Sequence, residues 1–370
     1  MDFINGFDIS TLAEVERCGG QFRDGGAPED ALAILKRHGA NFVRLRLWND
    51  PYDHRGESYG AGVCDLATVL ALAQRARAAG IPWLLDLHYS DFWADPGKQT
   101  VPKAWRHLDE AGLEQAVYHY TRDVLAACRA ANVLPGMVQV GNELSKGLLW
   151  PTGKVPNWQT IARYVCAGVR AVRQELPDCP VMVHLDNGGN NELYRTWFDN
   201  YFANGGDCDI LGLSYYPFWH GTIESLAANM NDIALRYGKD LIVAETSMGF
   251  TLESYAAYEG LTEEQRKGGA ARAALAEQLP WPMTPEGQCA FLKDLLNVIH
   301  AVPEGRGKGL FWWEPAWIPV PGSGWAKQGG WEYVGEQGPG GNEWANQALF
   351  DFAGNALPAL KLFEEGRSDG

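Results

Sequence analysis

Short apolar or alternating runs recur eight times along the chain, at residues 2–9, 41–48, 82–88, 137–142, 180–185, 209–215, 240–245 and 309–313. Most of the gaps between them carry apolar residues at three- and four-residue spacing, most clearly at 27–38, 66–79, 113–132 and 158–176. Strand followed by helix in unbroken alternation is the signature of a closed parallel (β/α)8 (TIM) barrel, an α/β fold. A doubly wound open sheet is the alternative, but it usually stops at about five to seven strands. No shift of composition divides the 370 residues, so residues 1–370 are expected to form a single catalytic barrel domain. Long loops are expected at about 248–284 and 318–345, and 263–278 has the composition of a small lid helix.

A net charge of −15 and the lack of any long Lys/Arg run argue against nucleic acid and anionic membranes as partners. No apolar run approaches the ~20 residues of a membrane span. Seven scattered cysteines form no CxxC pair, and the opening Met1-Asp2-Phe3 shows no leader pattern. We therefore expect reduced thiols, a cytoplasmic location and a monomer. Fifteen tryptophans is a high count, and Trp93, Trp150, Trp219, Trp317, Trp325, Trp331 and Trp344 lie in turn-like sequence. Loop anchoring and platforms for sugar rings are equally good reasons to keep each of them there.

In a barrel, chemistry sits at the C-terminal ends of the strands. There the chain places Arg44, Arg46, Asp86, His88, Asp91, Asn142, Glu143, His184, Asp186, Asn187, Ser214, Tyr216, Glu245 and Glu314. Singly, each has a structural explanation; delivered to one rim, they are costly to desolvate unless used. Glu143 and Glu245 stand out because each directly ends an apolar strand, in Val138-Gln-Val-Gly-Asn-Glu143 and Leu241-Ile-Val-Ala-Glu245. Paired carboxylates in different environments suit glycosidic cleavage, where one is protonated to release the leaving oxygen and the other ionised to attack the anomeric carbon. Arg44 near Glu245 would favour its ionised form; burial and a neighbouring charge would raise Glu143. A metal site or structural ion pairs are the other readings of two strand-terminal glutamates, although no conventional His/Asp ligand pattern accompanies them.

The chain resembles glycoside hydrolase family 53, the arabinogalactan endo-β-1,4-galactanases, along nearly its whole length. The motifs are Gly6-Phe-Asp-Ile-Ser10, Val43-Arg-Leu-Arg-Leu-Trp48, His88-Tyr-Ser-Asp-Phe-Trp-Ala-Asp-Pro-Gly-Lys-Gln99, Gln139-Val-Gly-Asn-Glu143, Gly212-Leu-Ser-Tyr-Tyr-Pro-Phe-Trp-His220, Ala244-Glu-Thr246, Gly309-Leu-Phe-Trp-Trp-Glu-Pro-Ala-Trp317 and Asn346-Gln-Ala-Leu-Phe350. The resemblance implies a retaining hydrolase of galactan or its oligosaccharides, with Glu143 as acid/base and Glu245 as nucleophile. It implies that Asn142 meets the sugar 2-hydroxyl, that Tyr216 and Arg44 position Glu245, and that His88 and Trp313 line the cleavage subsite. Arg46, Asp91, Trp93, His184 and Asn187 would be further substrate contacts. No cofactor is required; calcium, held by some bacterial relatives in the strand-eight loop, has candidate ligands in Glu332, Glu336, Asn342 and Glu343. The chain departs from the family pattern at Glu245-Thr-Ser-Met-Gly-Phe250 and at Asp186-Asn187-Gly188, both expected near substrate. Those departures keep a mannanase or xylanase of the same clan, or a non-catalytic carbohydrate-binding barrel, as alternatives.

Overall fold

A computed structural model describes residues 1–262, 272–336, 338 and 340–364. Its strands are β1 (Ile4–Asp8), β2 (Phe42–Leu47), β3 (Trp83–Leu87), β4 (Met137–Val140), β5 (Val181–Leu185), β6 (Ile210–Tyr215), β7 (Asp240–Thr246) and β8 (Gly307–Trp313). They pair in parallel in chain order, and β8 closes on β1 from Ile4 opposite Gly309 to Asp8 opposite Trp313. Each apolar run corresponds to one strand, with β7 running one residue past its run and β8 starting two residues before its own. The fourth is shorter than its run because the chain turns out of the sheet at Gly141 and Glu143, both at positive φ (80° and 49°).

Side-chain oxygens set where the outer helices begin. Asp30 accepts from Ala33 N, so that helix starts at Ala31 rather than 27; Asp109 accepts from Gly112 N and starts the next-but-one at Glu110 rather than 113. Asp65, Asn190, Thr222 and Thr284 cap their helices in the same way.

The two-residue strand period sorts the barrel interior into layers. Ile4, Leu84, Met137, Met182, Ile210, Ile242 and Phe311 form a buried apolar plug at the N-terminal end. One step further along the strands the inward positions become polar: Arg44, Asp86, Gln139 and His184 are all buried. Strand β7 breaks its alternation. Leu213 pairs with Val243 but Ser214 with Glu245, so Ala244 is a bulged extra residue. Simple alternation would send Glu245 outward with Val243; the bulge turns it to the barrel axis.

After β7 the chain makes short helical turns at Ala256–Glu259 and Ala273–Ala276, and the β8 loop carries a helix at Gln328–Val334. Most of the lid helix expected at 263–278 lies outside the described residues; Ala273–Ala276 within it is a single turn. No helix among the described residues is long and apolar enough to cross a membrane.

Candidate active site

The cleft is organised around one buried cation. Arg44 Nη1 lies 2.8 Å from both Asp8 Oδ2 and Glu245 Oε1, and Nη2 lies 2.8 Å from Asp86 Oδ2. Its Nε donates to Gln139 Oε1 at 3.1 Å and Nη2 to Asn142 Oδ1 at 2.9 Å. Above it, Arg46 Nη1 pairs with Glu314 Oε1 at 3.0 Å, and its guanidinium carbon sits 4.4 Å from the centre of the Trp93 ring. Here Asp8, Asp86, Glu143, Glu245 and Glu314 share only two guanidiniums, those of Arg44 and Arg46. Full ionisation would leave a large uncompensated negative charge, so some carboxyls keep their protons.

The two strand-end glutamates differ in who touches them. Glu245, 6% exposed, receives Arg44 on Oε1 and the Tyr216 hydroxyl on Oε2 at 3.0 Å. Burial pushes its pKa up to about 7, against the pull of Arg44 and Tyr216. Glu143 is half-buried, pairs with no cation among the described residues, and has Ser214 Oγ 2.7 Å from Oε1. Burial, then the charges of Glu245 and Asp186, hold it well above the usual carboxylate range. The pair shares its protons, and Glu143 keeps one after Glu245 has ionised.

Both carboxyls line one cavity of about 150 Å³ at the C-terminal mouth of the barrel, with Asn142, Tyr216, Arg46 and His88. Trp93, Trp313, Trp325 and Trp344 complete its wall: Trp93 stacks on Trp325 at 4.5 Å and Trp313 meets Trp344 edge-on at 4.7 Å. Larger hollows of about 430 Å³ beside Trp105 and Trp150, and about 540 Å³ beside Trp219 and Trp281, carry no paired carboxylates. An acid, a charge-paired carboxylate and an aromatic wall in one apolar-lined cleft can bind a sugar ring and break a glycosidic bond.

A family model for glycosyl hydrolase family 53 matches residues 4–363. The chain belongs to glycosyl hydrolase family 53. It is similar to an endo-beta-1,4-galactanase of Bacillus subtilis (strain 168), at 37% identity over 99% of this chain and 86% of that protein. It is also similar to an arabinogalactan endo-beta-1,4-galactanase of Humicola insolens, at 32% identity over 97% and 98% of the two. Among solved structures, a family 53 catalytic domain from Ignisphaera aggregans superposes with a TM-score of 0.89, at 38% identity, covering 98% of this chain and 95% of that one. The expected fold and enzyme class therefore hold: this family 53 chain is a glycoside hydrolase on a barrel.

Eight of the site residues expected from sequence share the cavity wall: Glu143, Glu245, Arg46, His88, Trp93, Asn142, Tyr216 and Trp313. Arg44 and His184 lie one layer beneath it, against Glu245 and Asn142. Two other expected substrate contacts lie outside this wall. Asp91 is fully buried outside the wall, where its carboxylate accepts from Asp50 N, Lys103 N and Tyr333 Oη and ties loops together. Asn187 sits at positive φ (59°) in the turn after β5, its carbonyl accepting from Asn190 N, and is also outside the wall. His88 lines the cleft without a free ring nitrogen: Trp48 Nε1 donates to its Nδ1 at 3.2 Å, and Nε2 faces Asp86 Oδ2 at 3.0 Å.

Three of the four candidate calcium ligands are engaged with protein groups. Asn342 Oδ1 accepts from Trp344 N and its Nδ2 donates to Trp317 O, while Glu332 accepts from Gln328 and Glu336 faces Lys98. Among the described residues no three His, Cys, Asp or Glu side chains converge as a metal would require. Sequence reasoning assigned no site role to Asp8 or Gln139 and placed Asp86 only among the polar strand ends, although their inward strand positions beside Arg44 were available as a signal. Trp325 and Trp344 were singled out only as tryptophans in loop-like sequence.

Proposed function

We propose that this hydrolase cleaves β-1,4-galactosidic bonds by double displacement, with Glu143 as acid/base and Glu245 as nucleophile. The asymmetry of the two carboxyls carries the reading: of the pair, Glu245 alone is contacted by Arg44 and Tyr216, while burial and then the surrounding negative charge favour the protonated form of Glu143. Glu143 gives its proton to the departing glycosidic oxygen as a Glu245 oxygen bonds the anomeric carbon. Glu143, now ionised, then takes a proton from the water that displaces Glu245, with retention of configuration. Asn142 Nδ2 donates one hydrogen to Ala94 O at 2.9 Å, which leaves a second for the sugar 2-hydroxyl.

The names of the Bacillus and Humicola relatives support galactan as the substrate. Of the departures behind the mannanase or xylanase alternative, Met248 is buried in the main core and Phe250 among loop residues, and neither is in the cavity wall. They therefore bear less on specificity than Asp186, whose charge reaches Glu143.

The test is hydrolysis of linear β-1,4-galactan beside β-mannan and xylan, with early product configuration read by NMR. We expect galacto-oligosaccharides of retained β configuration from the wild type and no turnover by Glu245→Ala, which still binds oligosaccharide. Early inversion would refute double displacement; activity on mannan or xylan alone would refute the substrate.

A further inference from the structure

The hydrogen bonds beneath Glu143 have a direction that can be worked out atom by atom. Arg44 Nη2 and Gln139 Nε2 donate to Asn142 Oδ1 at 2.9 and 3.1 Å, which fixes that atom as the amide oxygen. Gln139 Oε1 accepts from Arg44 Nε, and its two amide hydrogens face Gly141 O at 2.9 Å, Asn142 Oδ1 at 3.1 Å and His184 Nδ1 at 3.2 Å. His184 Nδ1 is closer to the Asn142 oxygen, at 2.9 Å, and a bare Nδ1 would set its lone pair against that oxygen's, so Nδ1 carries the hydrogen. Burial and the charge of Arg44 hold the His184 pKa far below its ordinary value, so the ring is neutral and Nε2 is a bare acceptor. Ser214 Oγ lies 2.8 Å from that Nε2 and 2.7 Å from Glu143 Oε1. One hydroxyl hydrogen thus faces two acceptors whenever Glu143 is ionised.

We propose that Ser214 and His184 are positioning residues that set the proton affinity of Glu143 by competing for this single hydrogen. The inference rests on Glu143 being the acid/base. With Glu143 protonated on Oε1, the chain is complete: Oε1–H donates to Ser214 Oγ, and Ser214 Oγ–H donates to His184 Nε2. When Glu143 loses its proton to the glycosidic oxygen, the Ser214 hydrogen rotates to Oε1 and Nε2 loses its donor. No proton crosses Ser214; the only proton exchanged is that between Glu143 and the substrate oxygen or the incoming water. His184 thus weakens the bond that would stabilise the carboxylate, and Ser214 supplies it.

Other charges act on both groups. Glu143 faces Glu245 on β7, Asp186 after β5 and Asp95 after β3. His184 faces Arg44 on β2, Asp86 and His88 at the end of β3, and His220 after β6. Neither substitution below alters them.

The experiment is the pH profile of kcat/KM on a β-1,4-galacto-oligosaccharide, whose alkaline limb reports loss of the acid proton. Ser214→Ala removes the donor to the carboxylate. A hydrogen bond to a charged acceptor outweighs one to a neutral carboxyl, so the limb should move up by about one pH unit. His184→Asn keeps a δ-position N–H for Asn142 and deletes Nε2. The hydrogen is then committed to Glu143, and the limb should move down by about half a unit. Loss of packing alone would not move the two in opposite directions. Limbs that stay put, or shift the same way, overturn the proposal, and the His184→Asn shift decides it if Ser214→Ala does not fold. Glu143→Ala with azide and an activated aryl β-galactoside separates the underlying assignment: without β-galactosyl azide, the acid/base reading fails. If azide rescues but the limbs do not diverge, only the positioning role fails.

Discussion

Arg44 holds Asp8, Asp86 and Glu245 at 2.8 Å from a single fully buried guanidinium, and its fork geometry lets it do so while bonding Gln139 and Asn142. A lysine ammonium is a point charge and cannot reach these partners together. Arg44→Lys should lower kcat/KM on galacto-oligosaccharide about 100-fold or more, because Glu245 loses its counter-ion and Asn142 a fixed partner. It should also lower the melting temperature, since Asp8 or Asp86 becomes a buried, unpaired charge. Activity within tenfold of wild type would show that Arg44 is not needed to position Glu245. Arg44 was legible in the sequence because it joins the other polar strand ends at one rim and falls in the Val43–Trp48 motif. The surroundings of Asp91 were not legible: its place in a motif after β3 says nothing of the backbone amides of Asp50 and Lys103 that fold onto it.

Strands and their caps follow local rules, whereas the loops that wall the cleft are held by contacts between elements. The turn at Ala256–Glu259 is clasped to the β8 loop by Glu259, which is buried and accepts from Asn342 N at 2.9 Å. Burial pushes its pKa up to about 7, from the 4.5 of an ordinary glutamate. The folded chain therefore binds a proton that the unfolded chain gives up at lower pH. The resulting stability is full below about pH 4.5 and is lost as pH rises to about 7. Glu259→Gln keeps the acceptor and removes the titration. Its melting temperature should match wild type near pH 4 and exceed it increasingly above, reaching an advantage of about 3 kcal/mol near neutrality. A melting-temperature difference that does not change with pH would refute the account. Neither this clasp nor the bulge at Ala244 is visible in sequence, because both depend on which residue of a distant element lies opposite.

At the scale of the molecule, the barrel exists only if β8 meets β1. At that seam Gly309 has φ +126°, and a Cβ there would stand 2.1 Å from Ile4 O. A side chain at this point opposes the backbone conformation and the strand pairing together. Gly309→Ala should cost about 3 kcal/mol or more in urea unfolding, and should loosen the cleft because Asp8 and Trp313 end the same pairing. Stability within about 0.5 kcal/mol of wild type would mean that the seam relaxes without the glycine.

The sequence by itself determined the eight strands, the helical gaps between them, the family and the two strand-end glutamates, because alternation, helical spacing and motif residues are properties of neighbouring positions. Only the tertiary structure decided the contacts through which those glutamates become unlike. The bulge at Ala244 turns Glu245 inward onto Arg44 and Tyr216, while Glu143 is left with Ser214 and the negative charge of its neighbours. Proton affinity in a buried cleft depends on distances between residues brought from different strands, and those distances exist only once the barrel has closed.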